Sequence, residues 1–294
     1  LFFIGEKSPN TLYLSQRQRD ALHGYRYDGC SVQPLMGARV EDGDVVLPSG
    51  ARYRLLVLQR DEMTPEVARK IRDLVRAGAT VLGPRPRQSP SLENYPACDA
   101  EVRGIAAELW GDLGGRSPGE HRVGEGRVLS GYLTRKALAH LGIGEDFSYE
   151  ASDDGARIYF THRRVGDTEV YFVASTSDEA FDSELSFRAR GVRPEVWDPY
   201  TGERYRVSDA RRVNGRSIFH LPFDPSESCF VVFPDAPTTG LDLPRYEPAG
   251  KPLPVEGPWR VRFQEERGGP AQVVFNKLID WTKHSDETVQ YFSG

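Results

Sequence analysis

The chain has no run of apolar residues approaching the ~20 that a helix needs to cross a bilayer, so no membrane-spanning helix is expected. It carries none of the short motifs that announce a reaction: no GxSxG elbow, no HExxH, no P-loop and no GxGxxG. Cysteine is scarce. Cys30, Cys98 and Cys229 stand far apart without a CxxC or any metal-ligand spacing, and are expected as buried or half-buried thiols with no metal. Excess positive charge is missing too. The net charge is −5 with 28% charged residues, which gives no hold on nucleic acid or an anionic membrane surface. Internal repeats and low-complexity tracts are absent. So is a secretory leader. The chain opens on Leu1-Phe-Phe-Ile4 without a methionine and closes on the strand-like Phe292-Ser-Gly294, and both ends are read as cut from something longer.

What is present allows two or three domains in 294 residues. Tyr53-Arg-Leu-Leu-Val-Leu58 is an apolar run of the kind buried on both faces of a parallel sheet. Thr64 is placed to cap a helix with Pro65 in its first turn, and Val67, Ile71, Leu74 and Val75 recur at helical spacing. Gly78 ends that helix and Ala79-Thr-Val-Leu82 makes a second strand, completing a βαβ crossover. Around it, Leu1 to Glu6 reads as a strand, Val40 to Gly50 as a hairpin-like excursion, and Gly83-Pro-Arg-Pro-Arg87 as a rigid turn too rich in proline to cradle phosphate. Helices are expected over about 99–110 and 132–141, with a strand at Arg127–Ser130.

After Gly144 the pattern changes to short strands without intervening helices, at about 157–161, 168–173, 183–187, 193–197, 204–207, 217–221 and 229–233. The expected organisation is an α/β domain over 1–148 and a β-sandwich-like domain over 149–236. A proline-rich linker over 237–256 and the opening of a further β-sandwich over 257–294 complete it.

Glu6 ends a strand, where ligands of parallel sheets bind; the same position also suits a solvated charge. Tyr25, Tyr27 and Asp28 form an aromatic and acidic cluster. Rings stack on the C–H face of a sugar while a carboxylate takes its hydroxyl protons, although Tyr and Asp are equally turn and packing residues. His162-Arg-Arg164 reads as a basic trio at a strand end, making a surface or interdomain contact.

Several stretches together resemble glycoside hydrolase family 106, the α-L-rhamnosidase-like enzymes, downstream of their catalytic barrel. They include Phe2-Phe-Ile-Gly-Glu6, Gly24-Tyr-Arg-Tyr-Asp28, Val46-Leu-Pro-Ser-Gly50, Met63-Thr-Pro-Glu66, and Ala77-Gly-Ala-Thr-Val-Leu-Gly-Pro-Arg-Pro86. Tyr95-Pro-Ala-Cys-Asp99, Glu108-Leu-Trp-Gly111, Phe160-Thr-His-Arg-Arg164, Glu195-Val-Trp-Asp-Pro199 and Asp280-Trp-Thr-Lys-His284 extend the likeness. The resemblance implies an exported, extracellular or periplasmic enzyme that removes terminal rhamnose from plant polysaccharides with inversion, with calcium near the pocket. Its barrel would precede Leu1, and the fragment alone would be inactive. The α/β domain would then be flavodoxin/amidotransferase-like without amidotransferase chemistry, and the last segment would begin a galactose-binding-like β-sandwich packing Trp281 and His284. Glu6 and Asp28 would serve as catalytic carboxylates beside the substrate-binding Tyr25 and Tyr27, Glu6 as acid, base or calcium ligand. Where the family carries a further acid after the Tyr-Asp motif this chain has Gln33, and an amide is no general base. The alternatives are a non-catalytic carbohydrate-contacting module and a flavodoxin-like nucleotide or amidotransferase enzyme, the latter weakened by the absent glycine-rich loop.

Overall fold

A computed structural model describes residues 1–6, 12–189, 193–234, 241–243 and 254–293. It divides into two compact units, Leu1–Leu243 and Pro244–Gly294.

The first unit begins with β1 (Phe2–Phe3), α1 (Gln16–Ala21), β2 (Gly29–Cys30) and α2 (Val32–Met36). A small antiparallel sheet follows, made of β3 (Arg39–Glu41), β4 (Asp44–Val46) and β5 (Arg52–Tyr53). Then come β6 (Leu56–Leu58), α3 (Pro65–Arg76), β7 (Thr80–Leu82) and α4 (Ala97–Trp110). The edge strand β8 (Gly119–Val123), β9 (Gly126–Ser130) and α5 (Thr134–His140) close the layer. The main sheet runs β2-β1-β6-β7-β9-β8, parallel except for β8. From β1 the chain steps to one side to reach β2 and then across to β6, so the order reverses between β1 and β6.

Alternation along each strand feeds two cores. Phe3, Leu56, Leu58, Val81 and Val128 pack against α2, α3 and α4, while Phe2, Val57, Leu82 and Leu129 pack against α5 and the ends of the α1 segment. The crossover forms as its residues dictate: Thr64 Oγ1 accepts the Val67 N–H and Pro65 opens α3. The expected strand Tyr53–Leu58 is instead divided. Tyr53 pairs with Val45 in the small sheet and only Leu56–Leu58 enters the main one, because exposed Arg54 separates them. In this layer α1, α2, β2 and β8 were not anticipated, although α1 carries a readable signal, the Ser15/Gln18 capping box.

Two sheets face each other in the second half of this unit. One is β10 (Phe147–Ala151), β13 (Phe181–Phe187), β17 (Arg216–Phe223) and β16 (Arg211–Val213). The other runs from β11 (Ile158–Val165) through β12 (Thr168–Ser175), β18 (Ser228–Phe233) and β14 (Glu195–Trp197) to β15 (Arg204–Arg206) and β19 (Leu241–Asp242). Phe147, Phe160, Tyr171, Phe187, Phe219 and Phe233 fill the space between. Most of the expected 237–256 linker lies outside the described residues, but Leu241–Asp242 is a strand paired with Tyr205 and Arg206.

His162 is not at a strand end. It sits inside β11, directly opposite Tyr171, with its ring stacked on the Tyr171 ring at 3.9 Å. Its Nδ1 meets Asp146 at 2.7 Å and its Nε2 meets Glu169 at 2.7 Å. Asp146 also accepts from Tyr171 (3.0 Å) and Arg188 (2.9 Å). This node joins the two halves, because the Asp146 N–H donates to the Gly24 carbonyl at 2.8 Å. Gly24 has φ +88°, and a Cβ there would lie 2.5 Å from the Phe147 carbonyl, so the approach requires glycine.

The second unit pairs β20 (Trp259–Val261) with β21 (Val273–Phe275) over a small core of Phe263, Phe275 and Val289. Trp281 packs on Phe263, and His284 packs edge-on to Phe275. Phe292 and Ser293, expected as strand-like, belong to no strand, Gly294 lies outside the described residues, and just before them Asp286 caps a short helix, α6 (Glu287–Gln290).

Burial pushes the Asp146 carboxyl up, but hydrogen bonding and charge from His162 and the Arg188 charge outweigh it, leaving the group below its ordinary 3.8. A depressed folded value contributes stability above that pH and loses it as the pH falls through the folded value. Asp146→Asn is therefore expected to cost about 3 kcal/mol at neutral pH, by breaking a buried ionic node. The deficit relative to the unmodified chain should shrink in acid. Urea unfolding at neutral pH and below about pH 4 measures both.

Candidate functional site

The carboxyl ends of β1 and β6, where the strand order reverses, are the place where open α/β sheets bind ligands. Glu6 stands there, half-buried, one residue past Gly5. Gly5 has φ +92°, with the Arg60 side chain folded against it. One Glu6 carboxylate oxygen accepts the Thr64 N–H at 2.7 Å and the other accepts the Thr64 hydroxyl at 2.6 Å. Thr64 in turn caps α3, so a carboxylate is locked at a helix N-terminus, where negative charge is favoured. Each oxygen keeps a lone pair that can meet a hydroxyl or water. Asp61 on the β6 loop pairs with Arg87 at 3.3 Å, and the Arg87 N–H donates to the Asp61 carbonyl, tying the β6 and β7 loops together. Gln33, in the first turn of α2 after β2, is exposed at this same edge.

Tyr25, Tyr27 and Asp28 sit at the other edge of the sheet. The exposed Asp28 precedes β2; its carbonyl accepts the Phe2 N–H and its carboxylate accepts the Tyr53 hydroxyl at 2.8 Å. Burial, helped by the Asp28 hydrogen bond, pushes the Tyr53 phenol up to about 12. Tyr27 lies edge-on to Phe2, and the Tyr25 hydroxyl donates to the Ile143 carbonyl at 3.3 Å. A cavity of about 360 Å³ opens here, lined by Tyr25, Tyr27, Tyr53, Arg26 and Arg54 among others.

Asp28 is level with Leu1 in the register, whereas Glu6 lies beyond Ile4. Three strand steps put them on the order of 10 Å or more apart along the sheet. The tyrosines and Asp28 are thus brought together, and Glu6 is held apart from them.

Two further features follow from chemistry rather than position. The described residues contain no cluster of three or more His, Cys, Asp or Glu able to hold a metal ion. Calcium takes six to eight oxygens from carboxylates, carbonyls and water, and no carboxylate-rich cage for it stands among the described residues. The cysteines are all buried, and burial pushes the Cys30 thiol up to about 11. Gln59 and Arg60, not a cysteine, follow β6. The Tyr53–Asp28 bond and the Asp146–His162–Glu169 node escaped sequence reading because their members come from different strands and loops.

The model of glycoside hydrolase family 106, α-L-rhamnosidase, matches residues 1–210. The chain belongs to this family. A rhamnosidase from Novosphingobium sp. PP1Y superposes with a TM-score of 0.74 at 31% identity, over 100% of this chain and 28% of that one. A protein of Formosa agariphila, provisionally named a beta-glucuronidase, is 34% identical over 238 residues, which is 80% of this chain and 19% of that protein. The chain thus spans 28% and 19% of the lengths of these two relatives.

Removing the acceptor at Glu6 tests its local role. Glu6→Ala leaves the Thr64 N–H and hydroxyl without their partner and is expected to cost about 1–3 kcal/mol, whereas Glu6→Gln keeps one acceptor and costs less than about 1. Thermal melting of the two variants distinguishes them.

Proposed function

We propose that these residues are the part that follows the catalytic barrel in an exported enzyme cleaving terminal α-L-rhamnosyl linkages of plant polysaccharides. Its substrates are rhamnose-containing glycans, and the barrel that completes its pocket lies outside these 294 residues. The family match and the partial span of the Novosphingobium rhamnosidase support this reading. The observation that carries it is the Glu6 carboxylate, clamped by Thr64 at the reversal point of the sheet. In this reading Glu6 lines the pocket wall and exchanges a proton with water or the leaving oxygen, in inverting hydrolysis. Asp28 sits at the opposite edge with Tyr25 and Tyr27 and contributes to glycan contact rather than to the same bond-breaking step.

The order of the parallel strands supports a flavodoxin/amidotransferase-like α/β domain, a scaffold here, since no cysteine stands after β6. The paired β20 and β21 with their aromatic core support a galactose-binding-like segment at the C-terminal end. A second reading keeps all of this as a non-catalytic module; the clamping of Thr64, the cap of α3, by Glu6 is the observation in its favour.

Assays on the full-length parent with an aryl α-L-rhamnoside separate the two. Glu6→Gln is expected to lower kcat by roughly 10²–10⁴-fold, the range of general acid–base catalysis, with Asp28→Asn far milder. Unchanged kcat in Glu6→Gln selects the scaffold reading. The 294-residue chain alone is expected to release no aglycone.

A further inference from the structure

We propose a second carbohydrate subsite, for neutral oligosaccharide, on the outer face of the β10-β13-β17 sheet where it meets the loop after α5. This rests on the reading of the parent as a glycan-processing enzyme. A groove of about 780 Å³ runs there, a size in the range of small-ligand sites.

The cross-strand register builds its floor in two rows. Ser148, Ser186 and Ile218 stand side by side in one, and Glu150, Glu184 and His220 in the next. Arg216 organises the first row. Its guanidinium donates to the Ser186 hydroxyl at 2.7 Å and to the Ser148 hydroxyl at 3.4 Å. It also donates to the Ser186 and Glu145 carbonyls. Because both serine oxygens already accept from Arg216, their own protons remain to be donated. The second row supplies acceptors. Glu184 is paired with Arg211 at 2.8 Å and lies 3.3 Å from the His220 Nε2, while exposed Glu150, directly opposite it, has no ion-pair partner among the described residues.

Directly opposed carboxylates on neighbouring strands repel, a cost that hydroxyl donors placed between them would relieve. One row of hydroxyl donors beside one row of carboxylate acceptors matches the diols of a sugar, each of which both gives and takes a proton. Apolar contact comes from Tyr25 and Ile143, which line the same groove, and from Ile218 in its floor. The Tyr25 ring is pinned by its hydroxyl, which donates to the Ile143 carbonyl, while Tyr149 on the inner face anchors β10 by donating to the Ala156 carbonyl and accepting the Ile158 N–H. A floor already held by its own hydrogen bonds loses little freedom when a ligand arrives.

The test is titration of the whole chain with an α-L-rhamnosyl-glucose disaccharide and with cellobiose, followed by calorimetry and by NMR shifts of groove residues. Saturable binding is expected, with shifts at Ser148, Glu150 and Ser186. Glu150→Gln, at an exposed position that leaves folding intact, should weaken it about tenfold, and Tyr25→Ala by at least as much. The proposal is overturned if neither sugar binds, if Glu150→Gln binds as well as the unmodified chain, or if calcium chloride moves these signals and sugar does not. Parent activity is read separately. Sugar binding without rhamnoside cleavage in the parent would remove the enzyme reading and leave the subsite; cleavage without binding here would do the reverse.

Discussion

Two phenylalanines in a short central strand hold the first half of the molecule in place. β1 is flanked on both sides by parallel strands, so its backbone groups are committed to β2 and β6, and the Phe2 and Phe3 side chains enter opposite cores. A strand satisfied on both edges and apolar on both faces has no freedom to slide, since a one-residue slip would exchange the two faces. Whatever follows β1 is therefore delivered to a fixed point at the carboxyl edge. That residue pair is Gly5-Glu6, and the positive φ of Gly5 turns the chain so that Glu6 reaches Thr64.

The join between the α/β half and the sandwich is polar where each interior is apolar. The Gly24 carbonyl, the Asp146 N–H and carboxylate, His162, Glu169, Tyr171 and Arg188 make a connected set around a nearly buried carboxylate. Such a set resists sliding in a way that packed methyl groups do not, because every displaced donor or acceptor would be left unpaired. The same rigid join positions the loop after α5 over the β10-β13-β17 face, creating the groove bounded by Tyr25 and Arg216.

Much of the architecture was legible in local patterns. Thr64, Pro65 and the apolar spacing of Val67, Ile71 and Leu74 specify α3 through capping and face periodicity, which depend on near neighbours alone. Asp42-Gly43, both at positive φ, specify the β3–β4 turn for the same reason. β10 was missed although Phe147, Tyr149 and Ala151 alternate with Ser148 and Glu150, because its short span sits between turn residues. Of the site, Glu6 was legible as a strand-end carboxylate. Its partner Thr64 was not, being 58 residues away in sequence.

The sequence by itself determined most of the longer elements, the family and the residues available for chemistry, because propensity, capping and apolar period are properties of adjacent residues. Only the tertiary structure decided which of those residues meet. Parallel pairing of β1 with β2 sends Glu6 to one edge of the sheet and Asp28 to the other. Cross-strand register sets Glu150 against Glu184, and packing of two sheets encloses Asp146 and His162. Each depends on strand direction and register between distant segments, which are chosen by the burial of both faces at once and leave no mark on any single stretch.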